Sequence, residues 1–367
     1  MIDFSTLKRD SIWRPFTQML DAEQPLMVKS GSGEFLELQD GRKIVDCISS
    51  WWVNLHGHAR PEIADAIAEQ ARTLEQVIFA GFTHEPAEKL AANLLTVLPQ
   101  KLRHLFFSDN GSTAVEVALK MAFQYWLNQG KTKNKFIAFD GGYHGDTAGS
   151  MSIGQGSPFW TSFQPLLFSI ELAPFPSTFE MDDKVHEKEK ESLDCLRRIL
   201  ETETDSVAAI CIEPLIQGAG GMRFCRSEFL GELRKLADEF DVLLIFDEVM
   251  TGFGRTGEWF ASNKSTVQPD IICLSKGITG GFLPLSVTGC SSKIYDAFLS
   301  KGHDKTFFHG HSYTANPLAC AAANASFDLL KRNPEVFSLM EKRHRKFAQT
   351  YLGECKSIKN QRFCGTI

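Results

Sequence analysis

Several things are missing from this sequence, and each absence removes an explanation. None of its 9 cysteines forms a C-x-x-C pair, their number is odd, and they are scattered. That argues against a disulfide framework or a zinc ribbon and fits reduced thiols in a cytoplasmic protein. No uninterrupted apolar run is long enough to span a bilayer. The opening "MIDFSTLKRDSIWRPF" holds no apolar signal-peptide core before its first charges, so a cytoplasmic location is expected. Excess positive charge is missing too. The formal net charge of -6 gives no reason to expect nucleic acid or an anionic membrane as a partner. No internal repeat or low-complexity tract stands out.

What remains is ordinary globular material. A chain of 367 residues, 43% hydrophobic and 23% charged, has room for one large domain with a smaller companion. From about residue 60, short apolar runs alternate with amphipathic segments. "PEIADAIAEQARTL", "EKLAANLLTVL", "STAVEVALKMAFQYW" and "SEFLGELRKLADEF" carry apolar residues at helical spacing, the first with Pro61 where a helix accepts it. "RHLFFS", "KFIAF", "VAAICI", "VLLIF" and "DIICL" read as strands, with no long helix between the last two. The pattern predicts an α/β fold with a largely parallel sheet covered on both faces, and ligands at the C-terminal strand ends. The charge run "EMDDKVHEKEKES" reads as a solvated loop and helix start. After residue 325 the pattern is helical again, and "FCGTI" reads as the beginning of a strand.

The unusual residues gather where strands end. In "DIICLSKGITGG", Lys276 follows a buried-looking run and precedes Gly277, Gly280 and Gly281. A lysine is rarely buried without a partner, and the glycines suggest that something bulky approaches the backbone. "VLLIFDEV" puts Asp247 and Glu248 at another strand end, either to pair with a cation or as a strand-end cap. In "LFFSDNGSTAVEVALK", Gly111 and Ser112 precede a helix, which makes either a phosphate cup or ordinary capping by Ser112 or Thr113. The spacing Gly252-x-Gly254-x-x-Gly257 matches a dinucleotide fingerprint but lies too far from its strand and precedes no long helix. "HGH" at 56–58 and 309–311, with His144 in "YHGD", leaves open a metal-dependent hydrolase that also uses the lysine. Taken together, the cup, the carboxylate and the lysine suit pyridoxal 5'-phosphate. Lysine would bond to its aldehyde, a carboxylate would keep the ring nitrogen protonated, and Tyr143 would stack on the ring. The glycines would then leave room for ring and substrate.

"IEPLIQGAGGM", "DEVMTGFGRTG", "LSKGITGG" and "GHSYTANPLACAAANAS" resemble the class III (subgroup II) aminotransferases of pyridoxal-phosphate fold type I, over nearly the whole chain. Within them, "IWRPFTQM", "SSWWVNLHGH", "ALKMAFQYW" and Met250 resemble the branch that converts 8-amino-7-oxononanoate to 7,8-diaminononanoate in biotin biosynthesis. The resemblance implies S-adenosylmethionine, or else lysine, as amino donor, with another ω-aminotransferase or an inactive paralogue as alternatives. It implies catalytic roles for Lys276, Asp247 and Tyr143, and phosphate binding by Gly111 and Ser112. Trp52 would line the arm of the substrate, with Gly310 nearby. His311 and Ser312 would reach the phosphate of the neighbouring subunit's cofactor in a homodimer. Arg255 would shape the donor site, while Trp51 is expected in core packing. Phe16 stands where many members carry tyrosine. The implied division is 1–59 as the N-terminal part of a small α+β domain, 60–325 as the large cofactor-binding domain, and 326–367 as an incomplete start of the C-terminal small domain. That domain would hold the arginine for the acceptor carboxylate, so poor acceptor binding is the expectation for the sequence as it stands.

Overall fold

The computed structural model describes residues 11–156, 159–203, 205–353, 355 and 357–367. Its centre is a seven-stranded sheet. In chain order the strands of the structure are β1 Val28–Ser32, β2 Phe35–Leu38, β3 Lys43–Val45, β4 Leu102–Ser108, β5 Lys135–Phe139, β6 Glu171–Ala173, β7 Val207–Ile212, β8 Ile216–Gln217, β9 Arg223–Phe224, β10 Leu243–Asp247, β11 Ile271–Leu274 and β12 Ser286–Ser291. The large sheet runs β4-β12-β11-β10-β7-β5-β6. Strand β12 is antiparallel to both of its neighbours, and the pairings from β11 to β6 are all parallel.

The central strands are buried along their whole length, as their continuous apolar runs require when helices cover both faces. One apolar layer holds Leu90, Leu94, Phe229, Leu233 and Phe246; the other holds Val115, Trp126, Ile245 and Ile271. Neighbouring residues Ile245 and Phe246 thus feed opposite layers, as side-chain alternation on a strand dictates. The expected helices form at Pro61–Thr73, Glu85–Leu95, Gly111–Asn128 and Ser227–Glu239. The charge run 180–191 leads into the helix Val185–Thr202.

Two segments depart from the sequence reading. "SVTGCS" is the buried antiparallel strand β12, whose weak apolar pattern concealed it. "FCGTI" is not a strand: the Thr366 N–H donates to Arg255 O at 2.9 Å and the Cys364 N–H to Ile367 O, so its backbone closes a turn. Strands β1 to β3 form a separate small antiparallel sheet that delivers the chain to residues 49–58. Among the described residues, no helix is long and apolar enough to cross a membrane.

Candidate active site

Strand ends β7, β10 and β11 open onto a cavity of about 450 Å³ whose walls include Trp52, Gly111, Tyr143, Glu213, Asp247 and Lys276. Strand β11 ends at Leu274, and Lys276 follows at φ 44°, a left-handed conformation that costs a lysine energy. Its Nζ lies 5.1 Å from the centre of the Trp52 ring. Burial lowers the Lys276 pKa from its ordinary value, while the charges of Asp247 and Glu213 pull the other way and Arg255 adds to the lowering. The amine is therefore easier to deprotonate than a surface lysine, as a nucleophile or proton carrier must be.

Asp247 ends β10 and is almost fully buried. Its Oδ2 accepts from His144 Nδ1 at 2.7 Å, and its Oδ1 accepts the Val249 N–H at 3.1 Å. Burial opposes a charge on His144, but the hydrogen bond and charge of Asp247 outweigh it and raise the histidine pKa. An anionic carboxylate is thus held ready at the cavity wall. The histidines of the sequence motifs point to separate partners: His144 bonds Asp247. His56 bonds Ser326 Oγ, His58 bonds Asp46, and His309 bonds Lys120. Among the described residues no group of three or more metal-capable side chains converges.

The helix Gly111–Asn128 points its N-terminus at the same cavity. Of the expected caps Ser112 and Thr113, only Thr113 takes part in capping. Asn110 is the cap, and Thr113 completes a reciprocal capping box. The Ser112 hydroxyl instead accepts the Asp146 N–H at 3.1 Å. No protein acceptor meets the N–H groups of Gly111 and Ser112 among the described residues. A Cβ on Gly111 would come within 2.7 Å of Val249 Cγ1, so only glycine fits without a shift. Two free N–H groups at the positive end of a helix suit a phosphate.

Tyr143 lines the cavity, and its hydroxyl donates to Asp146 Oδ2 at 2.8 Å. Burial and the neighbouring carboxylate raise its pKa, so it stays protonated. Its ring begins an aromatic run through Phe159 to Phe16 and Trp51, with edge-to-face centroid distances of 5.8, 5.4 and 5.6 Å. Trp51 is therefore exposed in this run at 53%, not packed in the core.

Residues 49–52, "SSWW", all have positive φ, at 49°, 48°, 59° and 66°. A left-handed run of non-glycine residues costs about 1–2 kcal/mol per residue, so its surroundings must hold it. Arg255 does part of this, donating to the carbonyls of Trp52 and Asn54 at 3.0 Å each. Asp46 does more, accepting from Ser50 Oγ and His58 Nε2. The glycines after Lys276 serve this segment, and Gly281 also lines the cavity. A Cβ on Gly277 would meet Leu55 Cδ1 at 2.8 Å, one on Gly280 would meet His56 Cδ2 at 2.8 Å, and one on Gly281 would meet Asn54 Cα at 3.2 Å. They let the chain carrying Trp52 lie against the lysine turn.

The chain's own cavity thus gathers Lys276, Asp247, Tyr143, Gly111, Ser112 and Trp52. It does not include Gly310, His311 or Ser312, which lie outside it on a surface segment with Phe308 and Tyr313. It also contains two groups to which the sequence reading gave no such place, His144 and Glu213. His144 was visible beside Tyr143, and Glu213 stands inside "IEPLIQG", but nothing local reveals that either faces Asp247.

The model of the family described as aminotransferase class-III matches residues 18–365. The chain belongs to this family. Its likeness to individual members is strong. An adenosylmethionine-8-amino-7-oxononanoate aminotransferase of Synechococcus elongatus is 57% identical over 91% of this chain and 78% of its own length. One of Geobacter sulfurreducens is 42% identical over 100% of this chain and 83% of its own. Among solved structures, the enzyme of that name from Methanocaldococcus jannaschii superposes with a TM-score of 0.88 at 36% identity, covering 97% of this chain and 81% of that one. An amine transaminase from an uncultivated Pseudomonas species, in its PLP-bound form, gives 0.89 at 31% identity, covering 98% and 83%. As a class-III aminotransferase the chain uses pyridoxal 5'-phosphate. The cavity fits that group: an amine, a buried anion, an aromatic wall and two unpaired helix N–H groups face one space.

Proposed function

We propose that the chain transfers an amino group to 8-amino-7-oxononanoate, giving 7,8-diaminononanoate, with S-adenosylmethionine as donor. The reading rests on the 57% identity to the Synechococcus elongatus enzyme. The Lys276–Asp247–helix cavity agrees with it. Pyridoxal 5'-phosphate supplies an aldehyde that accepts the amino group and a ring that withdraws electrons from the reacting carbon. Lys276 would hold it covalently, Asp247 would face its ring nitrogen, and Tyr143 would lie on its ring. Gly111 and Ser112 would bind its phosphate. Once the amino donor has displaced it, Lys276 Nζ would be free to move a proton between the reacting carbons, and its lowered pKa suits that task. Trp52, Val53, Phe282 and Leu283 offer an apolar wall to the alkyl arm of the acceptor. Incubating the cofactor-loaded chain with acceptor and S-adenosylmethionine should yield 7,8-diaminononanoate by mass spectrometry. Product with lysine alone would transfer the donor role to lysine. No product with either, from a protein that aminates another ketone, would overturn the substrate assignment.

The same reading includes a homodimer. Phe308 and Tyr313 are 74% and 64% exposed, and His311 Nε2 between them has no hydrogen-bond partner among the described residues. Ile78 and Phe82 add exposed apolar area, each at 62%. A second copy laid on this face would cover these residues and bring His311 and Ser312 to its own cavity. Light scattering should give twice the mass of the chain. A monomer at micromolar concentration that still turns over would contradict this.

A further inference from the structure

Glu213 is a buried carboxyl group in the cavity wall that the functional reading above leaves without work. It follows Ile212, which pairs with Phe246 in the parallel register of β7 and β10, so Glu213 and Asp247 leave their strands side by side. Both are buried, at 6% and 3% exposure. Glu213 Oε2 accepts the Tyr143 N–H and Oε1 accepts the Gly218 N–H, each at 3.0 Å. One carboxylate therefore fastens two loops, one carrying the aromatic wall and the other the turn that bears Gly218 and Ala219. Fastening uses both carboxyl oxygens but does not by itself require their charge, because both bonds come from neutral backbone donors. Burying a second negative charge beside Asp247 is costly unless the site uses it.

We propose that Glu213 is a positioning residue of the transamination: it fixes Tyr143 against the Gly218 turn and places a second negative charge behind the lysine–cofactor linkage. The inference rests on the functional reading above. The groups facing Glu213 are His144, Asp247, Tyr143, Lys276 and Cys211. Burial pushes the Glu213 pKa up, His144 lowers it and Asp247 raises it, leaving it at about 7. The charge is accordingly present on the alkaline side of neutrality and lost on the acid side.

The test uses the cofactor-loaded chain with Glu213→Gln and Glu213→Asp, read by pH titration of the visible absorbance, by kcat and KM, and by thermal melting. Glutamine removes the charge and turns one acceptor into a donor facing an N–H. Its absorbance midpoint should fall by about half a pH unit, because an anion near a cationic nitrogen has gone. Its kcat should fall about tenfold as Tyr143 loses its anchor. Aspartate keeps the charge but cannot reach both loops, so its kcat should fall with the midpoint unchanged. If glutamine does not fold, the aspartate result decides, and wild-type kcat there overturns the proposal. A glutamine variant with wild-type midpoint and kcat overturns it, even if it melts lower, since that describes a structural fastener. A wild-type chain that binds no pyridoxal phosphate or aminates nothing would instead remove the functional reading beneath it.

Discussion

Lys276→Ala is expected to lower turnover by at least about 10⁴-fold, since on the proposed reading it removes both the covalent holder of the cofactor and the proton carrier. The structure gives reasons to expect a folded variant. Among the described residues the Lys276 amine makes no hydrogen bond or ion pair, and it lies 5.1 Å from the centre of the Trp52 ring. Burial already works against its charge, so removing the ammonium relieves a desolvation cost. The backbone strain at φ 44° remains for alanine. The melting temperature should therefore stay close to wild type while the visible band of the lysine-linked cofactor disappears. Adding a small primary amine should restore part of the rate by supplying the missing base. A variant retaining about a hundredth of wild-type kcat would assign proton transfer to another group.

The parts of this site that were legible in the sequence are those whose residue type is improbable in its local setting. A lysine after "IICL", a carboxylate after "LLIF" and a glycine–serine pair before a helix each conflict with the apolar strand beside them. Alternation of strands and helices then places all three at one sheet edge. What could not be read is whatever depends on contact across the chain. His144 lies 103 positions from Asp247, and no local pattern announces that pair. Glu213 fastens Tyr143 from 70 positions away. The glycines after Lys276 were correctly read as a close approach, but the approaching body is the chain at Asn54 to His56. The left-handed "SSWW" turn was also hidden, because its cost is met by Arg255, 203 positions from Trp52. The overlooked strand β12 is of the same kind. "SVTGCS" is weakly apolar and is a strand because β4 and β11 pair with it on either side.

Asp247→Asn carries the second large expectation, and it has two readouts with different causes. Asparagine keeps one oxygen, which can accept the His144 Nδ1–H, while its amide nitrogen then faces the Val249 N–H, so the shape survives but the charge and one hydrogen bond are lost. On the proposed reading, a ring nitrogen facing a neutral amide would no longer be held protonated, and electron withdrawal from the reacting carbon would weaken. The expected loss in kcat is about 10²–10³-fold, the size seen when a preorganised electrostatic partner is removed. Stability should change through His144. Its folded pKa is raised by Asp247, so the pair contributes stability that is complete below the ordinary histidine value and is lost as pH rises through the raised one. In the variant His144 is a buried histidine left with only the charge of Glu213, and folding gains less from protonating it. The melting-temperature gap between wild type and variant should thus be widest on the acid side of neutrality and close as pH rises. Breaking a buried pair outright costs about 3–5 kcal/mol, and the retained hydrogen bond should hold the acid-side loss below that range. A gap that widens with pH would mean that His144 is neutral in the folded protein and that Asp247 is held by other means. Turnover within about threefold of wild type would separate Asp247 from the chemistry altogether.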